Sequence, residues 1–301
     1  MSQYIWQNGN MVLYADAKTH VMSHALHYGT GVFEGIRAYS NNGNPEIFAL
    51  SEHVDRFLVS AKSLAMIIPY THAEICRAII DTVKINGFSE CYIRPLAYYG
   101  LPPSGVRIVP ATDTPIEVII SCYHMGNYLP NAAIHVKISD IIRLHPKSTN
   151  VSAKICGHYI NSLQALLEIK GTHYNEVIML DYEGNVSEGS SDNIFVIKDK
   201  IVYTPPLGGI LKGITRATIM NLLVDLGYKV LEKSIKSEEL FIADEIFVVG
   251  TAVEVRGVAT VNDENIGSGQ EGIITKLVRL GYENICLNKN AKYSKLLTKV
   301  T

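Results

Sequence analysis

Excess charge of either sign is what this sequence lacks most. Its 27 lysines and arginines face 29 aspartates and glutamates, leaving a formal net charge of -2 over 301 residues. Such a balance offers no extended field to nucleic acid or an anionic membrane, and no basic run interrupts it. The expected partner is a small molecule, with no nucleic acid and no membrane. Nowhere do roughly 18 apolar residues follow one another, so no transmembrane helix is expected. The opening MSQYIWQNGN has neither a basic n-region nor an apolar h-region, so no signal peptide is expected either. Cysteine is sparse: Cys76, Cys91, Cys122, Cys156 and Cys286 are odd in number, scattered, and free of any C-x-x-C pair. Neither a disulfide framework nor a thiolate metal site follows, and a reducing cytoplasm is the expected setting. G-x-S-x-G is missing, which removes the usual serine hydrolase, and no repeat or low-complexity tract is visible.

What is present is apolar mass in alternating patterns. Hydrophobic residues make up 47% of the chain and charged ones 19%, enough for a sizeable core in two domains. NMVLYADA and GIRAY read as strands, EHVDRFLVSAKSLAM and HAEICRAIIDTVKING as amphipathic helices, the second ended by Gly87. CYIRPLAYYG and TPIEVIISCY are β-rich and flank the loop LPPSGVRIVPATD. HMGNYLPNAA reads as a connector. Beyond it, ICGHYINSLQALLEIK is helical, and NEVIMLD, VSEGSSDNIF and KIVYTP are strand-like. TRATIMNLLVDLGY is a helix with Thr215 as N-cap and Gly227 at its end, DEIFVVGT a strand, and ITKLVRLGYENI a last helix. The fold class is mixed α/β, of the α+β kind, with a smaller domain over 1–122, a connector over 123–131 and a larger domain over 132–301.

Three motifs invite chemistry. GSGQEG, Gly267 to Gly272, fits the dinucleotide pattern, but too little sequence follows for the rest of a Rossmann unit, so a turn before the last helix is expected. His20, His24 and His27 have helical spacing and could form a zinc face, yet glycines follow at once and no carboxylate joins them; no metal is expected. GGILKGIT lacks the Walker ending, since Gly213 and Ile214 follow Lys212. A glycine-rich turn running into a helix near Thr215 is nonetheless a competent anion site, because free N–H groups and the helix dipole both favour phosphate.

Lys154, in VSAKICGHYINS, has small and apolar neighbours and no adjacent acid. Burial there would disfavour the ammonium and release a nucleophilic amine, whereas a lysine at a helix start commonly reaches into solvent instead. VSEGSSDNIF sets one carboxylate, Glu188, beside a run of small residues, as though something approached the backbone closely.

The segments SHALHYGTGVFEGIRAY, EHVDRF, YIRPL, AK before GHY, VSEGSSDNIF, TPPLGGILKGITR and DEIFVVGTAVEV together resemble the successive motifs of the branched-chain amino acid aminotransferases. The match is in order and spacing and runs from about Tyr14 onward. These are pyridoxal 5'-phosphate (PLP) enzymes of fold type IV, D-amino acid aminotransferase-like. The resemblance implies two α/β domains with the cofactor between them, and ping-pong transamination of leucine, isoleucine and valine with 2-oxoglutarate. It implies that Lys154 bonds the cofactor and moves the substrate proton, and that Glu188 faces the ring nitrogen, with small neighbours letting the flat cofactor lie against the backbone. Tyr159 would meet the phenolic oxygen and Leu211 the ring face. Arg56, Ile214, Thr215 and Thr251 would hold the phosphate. Taken alone, Arg56 could equally be a surface arginine of an amphipathic helix.

For the substrate, the resemblance implies that Tyr92, Thr251 and Ala252 receive the α-carboxylate and that Phe33, Gly35, Tyr128 and Tyr159 line the side-chain pocket. Arg37 and Arg94 would lie near it, with Arg94 taking the distal carboxylate of glutamate. Phe33 and Tyr128 could also be plain packing residues. Met125 and the stretch RLHPKSTN depart from the family's usual residues, which bears on side-chain preference. Family members are homodimers or larger, and GLPPSGVRIVP is the loop expected to reach a neighbouring subunit. The alternatives of the same fold are a D-amino acid aminotransferase and aminodeoxychorismate lyase; YIRPL and the GTA at Thr251 favour the branched-chain branch. A nucleotide-binding oxidoreductase built on GSGQEG and a non-catalytic binding protein are rivals from other classes.

Overall fold

Val54, Phe57 and Ala61, and then Ile75, Ile79 and Val83, recur at the spacing of a helix face, and each set is buried. They belong to the helices Leu50–Ser63 and His72–Asn86. The second opens with a capping box between Thr71 and Glu74 and closes on Gly87, whose left-handed φ of 66° suits glycine. The computed structural model in which these are seen describes residues 3–126, 128–130 and 132–301. Of the expected connector, Asn127 and Asn131 lie outside the described residues.

Two compact units emerge. The first comprises Met1–Gly126, Ala153–Gly157 and Cys286–Thr301; the second comprises Asn127–Ser152 and His158–Ile285. A contiguous division into 1–122 and 132–301 therefore does not match the clustering of the chain, because the short segment around Lys154 packs with the first unit.

In the first unit an eight-stranded sheet runs in the order Leu297–Lys299, Asn44–Phe48, Ile36–Asn41, Cys91–Tyr99, Ile116–Tyr123, Tyr4–Gln7, Asn10–Leu13, with Gly31–Phe33 also on Cys91–Tyr99. The two helices share a core with Ile36, Ile47, Ile93, Val118 and Ile120 of this sheet. Cys91–Tyr99 pairs with two successive strands along one edge, Ile36–Asn41 and then Gly31–Phe33. The break between them falls at Glu34 and Gly35, opposite Pro95. Proline has no N–H to give, so the ladder is interrupted there at little cost. Glu34 N donates to Pro95 O across the break at 2.9 Å, and its side chain is released from the ladder to turn inward.

In the second unit a nine-stranded sheet runs Val186–Gly189, Glu176–Leu180, Ile134–Ile138, Glu254–Val261, Glu245–Gly250, Asn193–Lys198, Ile201–Thr204, Lys229–Glu232, with Glu264–Asn265 on Glu254–Val261. Its core gathers Ile134, Val136, Ile178, Ile194, Val196, Ile246 and Val248. Val186–Gly189 and Asn193–Lys198 are consecutive in the chain yet separate in this order. The turn between them, closed by Gly189 N donating to Asp192 O (2.8 Å), crosses a seam in the sheet. Buried backbone there must be satisfied by side chains.

Several expected elements are corrected. NMVLYADA is a strand only to Leu13. The helix after Lys154 begins as a 3-10 turn, Cys156–His158, and becomes α-helical at Tyr159–Glu168. Thr215 is not an N-cap: Gly213 holds that place and the helix is Ile214–Asp225. A Cβ at 213 would strike the Asn193 amide oxygen, which fixes glycine there. His20 lies outside the short helix His24–Tyr28, so the three-imidazole face does not form. Among the described residues no group of three potential ligands could hold a metal ion, and no helix is long and apolar enough to cross a membrane. GSGQEG, as expected, is a turn before the helix Ile273–Cys286.

The Lys154 segment is fixed by backbone contacts of the first unit. Val32 bridges to Ile155, Phe33 N donates to Lys154 O at 3.1 Å, and Gly157 N donates to Gly29 O at 3.1 Å. Gly29 has φ +65°, and a Cβ on it would lie 2.9 Å from Gly157 Cα. Gly29→Ala is therefore expected to cost about 1–3 kcal/mol through the strained backbone alone, and to displace the lysine segment. Urea unfolding and activity of the variant, compared with the parent, check this; an unchanged pair of values would show that the close approach is not needed.

Candidate active site

The first unit builds its group around a buried acid. Glu34, whose side chain is fully buried, accepts from Arg56 Nε at 2.6 Å and from Arg56 Nη2 at 2.8 Å, a two-pronged contact. His53 Nδ1 donates to Glu34 Oε2 at 2.8 Å. Burial pushes the Glu34 carboxyl up, but the Arg56 guanidinium and His53 outweigh it and hold the group well below the usual carboxylate range. For His53, burial lowers the value first, Glu34 opposes, and Arg56 and Lys154 lower it further, so the ring is neutral and its Nδ1 carries the proton. Arg56 is thus a braced cation rather than a surface one. One turn along the same helix, Ser60 Oγ receives Lys154 N at 3.0 Å.

Lys154 is half-buried, with Nζ 4.9 Å from the centre of the Phe33 ring. Arg94 lies over that ring at 4.6 Å and over Tyr92 at 5.2 Å, and its Nη2 donates to Tyr92 Oη at 3.0 Å. A Cβ at Gly35 would collide with that same hydroxyl, so glycine at 35 makes room for Tyr92. Arg37 donates to Glu90 at 3.1 Å. Phe33, Gly35, Arg37, Arg56, Tyr92, Arg94 and Lys154 all belong to this unit.

The second unit carries Tyr128, Tyr159, Glu188, Leu211, Ile214, Thr215, Thr251 and Ala252. Glu188 is buried, and each of its oxygens is used. Arg143 Nε donates to Oε1 at 2.7 Å; Asn193 Nδ2 and the Leu211 backbone N–H each donate to Oε2 at 3.1 Å. Arg143 is held in turn by Asn161 Oδ1 at 3.2 Å. Such a carboxylate cannot rotate away, and its charge is answered on one side by a buried cation. The helix Ile214–Asp225 begins at Gly213 with no side chain capping its N-terminus, while Thr215 is buried in its first turn. That leaves the positive end of a 12-residue helix for an anion. Thr251 and Ala252 form a half-buried turn after the strand Glu245–Gly250. Tyr128 stands at the surface, 43% exposed.

Each unit by itself offers groups that suit part of a phosphorylated aromatic aldehyde: the first an amine on a half-buried lysine, the second an oriented buried acid and an uncapped helix start. Three working partners escape a reading of the sequence, namely Glu34, His53 and Arg143. Glu34 has a signal of its own, an acid inside the apolar run GVFEGI. Arg143 has none, since its partner lies 45 residues away. At Gly189 the Asp192 carboxyl fills the space a Cβ would take.

Residues 31–261 match the family model described as amino-transferase class IV. A branched-chain-amino-acid aminotransferase of Pseudomonas aeruginosa is 41% identical over 300 residues, covering 98% of this chain and 97% of that protein. The enzyme of the same name from Escherichia coli is 38% identical over 93% of this chain and 92% of its own. Among solved structures, the branched-chain aminotransferase of the archaeon Thermoproteus uzoniensis with norvaline superposes with a TM-score of 0.95 at 40% identity, with both chains covered in full. A T.th. branched-chain amino acid aminotransferase complexed with N-(5'-phosphopyridoxyl)-L-glutamate gives 0.96 at 39% identity, covering 100% of this chain and 99% of that one.

Removing the charge of Glu34 deprives the partly buried Arg56 of the carboxylate that braces it. Glu34→Gln is expected to cost about 3–5 kcal/mol at neutral pH. A carboxyl held below its ordinary value contributes stability above that value and loses it as pH falls through the lowered one. The gap between variant and parent should therefore narrow once the pH drops below the ordinary carboxylate range. Urea unfolding at pH 7 and at pH values below the ordinary carboxylate range measures it, and a gap independent of pH would contradict the assigned ion pair.

Proposed function

Because the chain belongs to the class IV aminotransferases, we infer that it moves the amino group of leucine, isoleucine or valine onto 2-oxoglutarate, with pyridoxal 5'-phosphate as cofactor. The products are the branched 2-oxo acid and L-glutamate. One observation carries the reading furthest: Glu188 is fixed by Arg143, Asn193 and the Leu211 backbone, as an acid must be to meet a ring nitrogen. When bound, the cofactor supplies an electron sink for negative charge at the substrate's Cα.

The chain's own residues then divide the work. Lys154 Nζ removes the proton from Cα and returns it on the other side of the exchange. Glu188 holds a proton on the ring nitrogen by a charge-assisted hydrogen bond, which keeps the sink effective. Tyr159 donates to the phenolic oxygen, and Leu211 covers a ring face. Arg56 and Thr251, with the N–H groups of Ile214 and Thr215, hold the phosphate; Glu34 and His53 keep Arg56 extended toward it.

The α-carboxylate falls to Tyr92 and to the N–H groups of Thr251 and Ala252. Phe33, Gly35, Tyr128, Tyr159 and Arg37 shape the side-chain pocket. One pocket must take a branched alkyl group in one half-reaction and a carboxylate in the other. Arg94 suits both demands, since its guanidinium lies over Phe33 and Tyr92 and keeps edge N–H groups for a distal carboxylate.

The working protein is read as a homodimer or larger. The loop from Gly100 to Pro110 ends in Ile108 and Val109, both 77% exposed, and is tied to its own unit by His24 Nε2 bonding Arg107 O at 2.7 Å. An apolar tip held this firmly suits a neighbouring subunit better than water. A reducing compartment suits the five cysteines, none of which is joined in a disulfide.

The assignment is tested by an absorption spectrum of the purified protein with L-leucine. The visible band of the lysine-bound cofactor should fall and return with 2-oxoglutarate, and Lys154→Ala should lose both band and turnover. A band that ignores L-leucine and answers D-alanine would turn the reading to a D-amino acid enzyme. Arg94→Ala should raise the KM for 2-oxoglutarate by roughly tenfold more than that for leucine, as loss of a charge-assisted contact would; equal losses would remove Arg94 from substrate recognition.

A further inference from the structure

Three carboxylates share the seam of the second unit's sheet: Glu176, Glu188 and Asp192, none more than 4% exposed. Glu188 has its three donors. Glu176 accepts from Val177 N at 2.8 Å, from Ser190 N at 3.3 Å and from Ser190 Oγ at 3.0 Å. Asp192 is different, since among the described residues neither of its oxygens has a hydrogen-bond partner although both are buried. It faces Glu176 at hydrogen-bonding range and also feels the charge of Glu188. The cation of the seam, Arg143, is already committed to Glu188 and Asn161.

A buried carboxylate with no donor and two anionic neighbours is a configuration a folded protein avoids. One proton resolves it. Protonated, Asp192 becomes an O–H donor, and Glu176 is the acceptor beside it; like charges in one site share a proton in this way. Burial first, then the charges of Glu176 and Glu188, push the Asp192 carboxyl well above its usual range, and burial pushes Glu176 up as well.

The position of Asp192 gives that proton a consequence. Its carboxyl fills the space beside Gly189, the residue after Glu188. Its Cβ stands 3.4 Å from where a Cβ on Gly250 would be, and Gly250 precedes Thr251. Asn193, next in sequence, pairs with Val249. Asp192 is thus the buried joint between the segment that carries Glu188 and the segment that carries Thr251. We propose that Asp192 and Glu176 hold one proton between them and act as a positioning pair, fixing Glu188 and Thr251 relative to each other, so that alkaline loss of the proton loosens the cofactor's cradle. The second half of this rests on the reading of Glu188 and Thr251 as cofactor-contacting residues; the shared proton does not.

The sign follows from linkage. An acid whose folded value is raised binds its proton more tightly when folded, so its contribution is complete at low pH. That contribution is lost as pH rises from the ordinary carboxylate range through the raised value. Asp192→Asn mimics the protonated acid and can donate to Glu176 at every pH.

The test uses the apoprotein first. As pH rises above the ordinary carboxylate range the unfolding equilibrium constant of the parent should rise relative to that of Asp192→Asn by up to about tenfold per pH unit, and the variant should be the more stable one once the raised carboxyl has lost its proton. Curves that run parallel, or a variant less stable throughout, would overturn the shared proton. Should Asp192→Asn fail to fold, Glu176→Gln serves instead: its amide can donate to an ionised Asp192, and the same flattening is expected.

The second readout is the dissociation constant of pyridoxal phosphate, followed by absorbance as the pH is raised through the range in which the raised carboxyl loses its proton. The parent should weaken by roughly tenfold more than Asp192→Asn, the change that one coupled proton produces per pH unit. Equal weakening would overturn the positioning role even where the proton is confirmed. Normal cofactor binding and turnover in Glu188→Gln would instead sink the reading of Glu188, leaving the apoprotein result standing.

Discussion

The second unit depends on one ion pair, Arg143 with Glu188, 2.7 Å apart and almost wholly buried. Neither member is tolerable there alone, because an uncompensated buried charge costs several kcal/mol. Once the pair is accepted, its surroundings follow. Asn161 must hold the far side of the guanidinium, and Asn193 must supply the second carboxylate oxygen. The backbone after the strand Ile201–Thr204 must return so that Leu211 N can do the same. Gly213 must be glycine, since it passes against the Asn193 amide that serves this acid. The helix Ile214–Asp225 therefore starts where it does because of the amide that serves Glu188.

The first unit solves a matching problem with the roles exchanged. There the acid is the wholly buried member and the arginine the partly exposed one. Glu34 is freed from the strand ladder opposite Pro95, turns inward, and receives both Arg56 and His53. In both units a guanidinium meets a carboxylate inside the protein. The geometry explains why an arginine and not a lysine stands at 56 and at 143: Arg56 gives two N–H groups in one plane to Glu34, and Arg143 gives one to Glu188 and one to Asn161.

What the sequence disclosed and what it hid divide along the same line. Lys154, Glu188 and the turn before Thr215 are legible because each sits in a short segment whose composition is odd in itself. The helices at Leu50 and His72 are legible because their apolar spacing is regular. Arg143 is not, since RLHPK looks like any polar loop and its partner is 45 residues on. Thr215 reads wrongly as a cap because capping preference is local, whereas Gly213 is fixed by Asn193 from another strand. The histidines mislead for a similar reason: helical spacing continues in the sequence, but the helix itself runs only from His24 to Tyr28 and closes on Gly29 at positive φ. The seven segments in their order carry the family; the pairings that make them work are tertiary.

Gly35 and Gly189 sharpen the point. Each stands beside a working residue, and small size there looks like clearance for a ligand. In the structure each clearance is taken by the protein's own side chain, Tyr92 Oη at one and the Asp192 carboxyl at the other. A glycine of this kind reports a neighbour that must come close, not empty space. Tyr92, seated against Gly35, is carried to the guanidinium of Arg94, and Asp192, seated against Gly189, is carried to Glu176. Replacing either glycine would first disturb a polar contact of the fold, and only through it any bound molecule. Loss of function at such a position is therefore no proof that the ligand touches it.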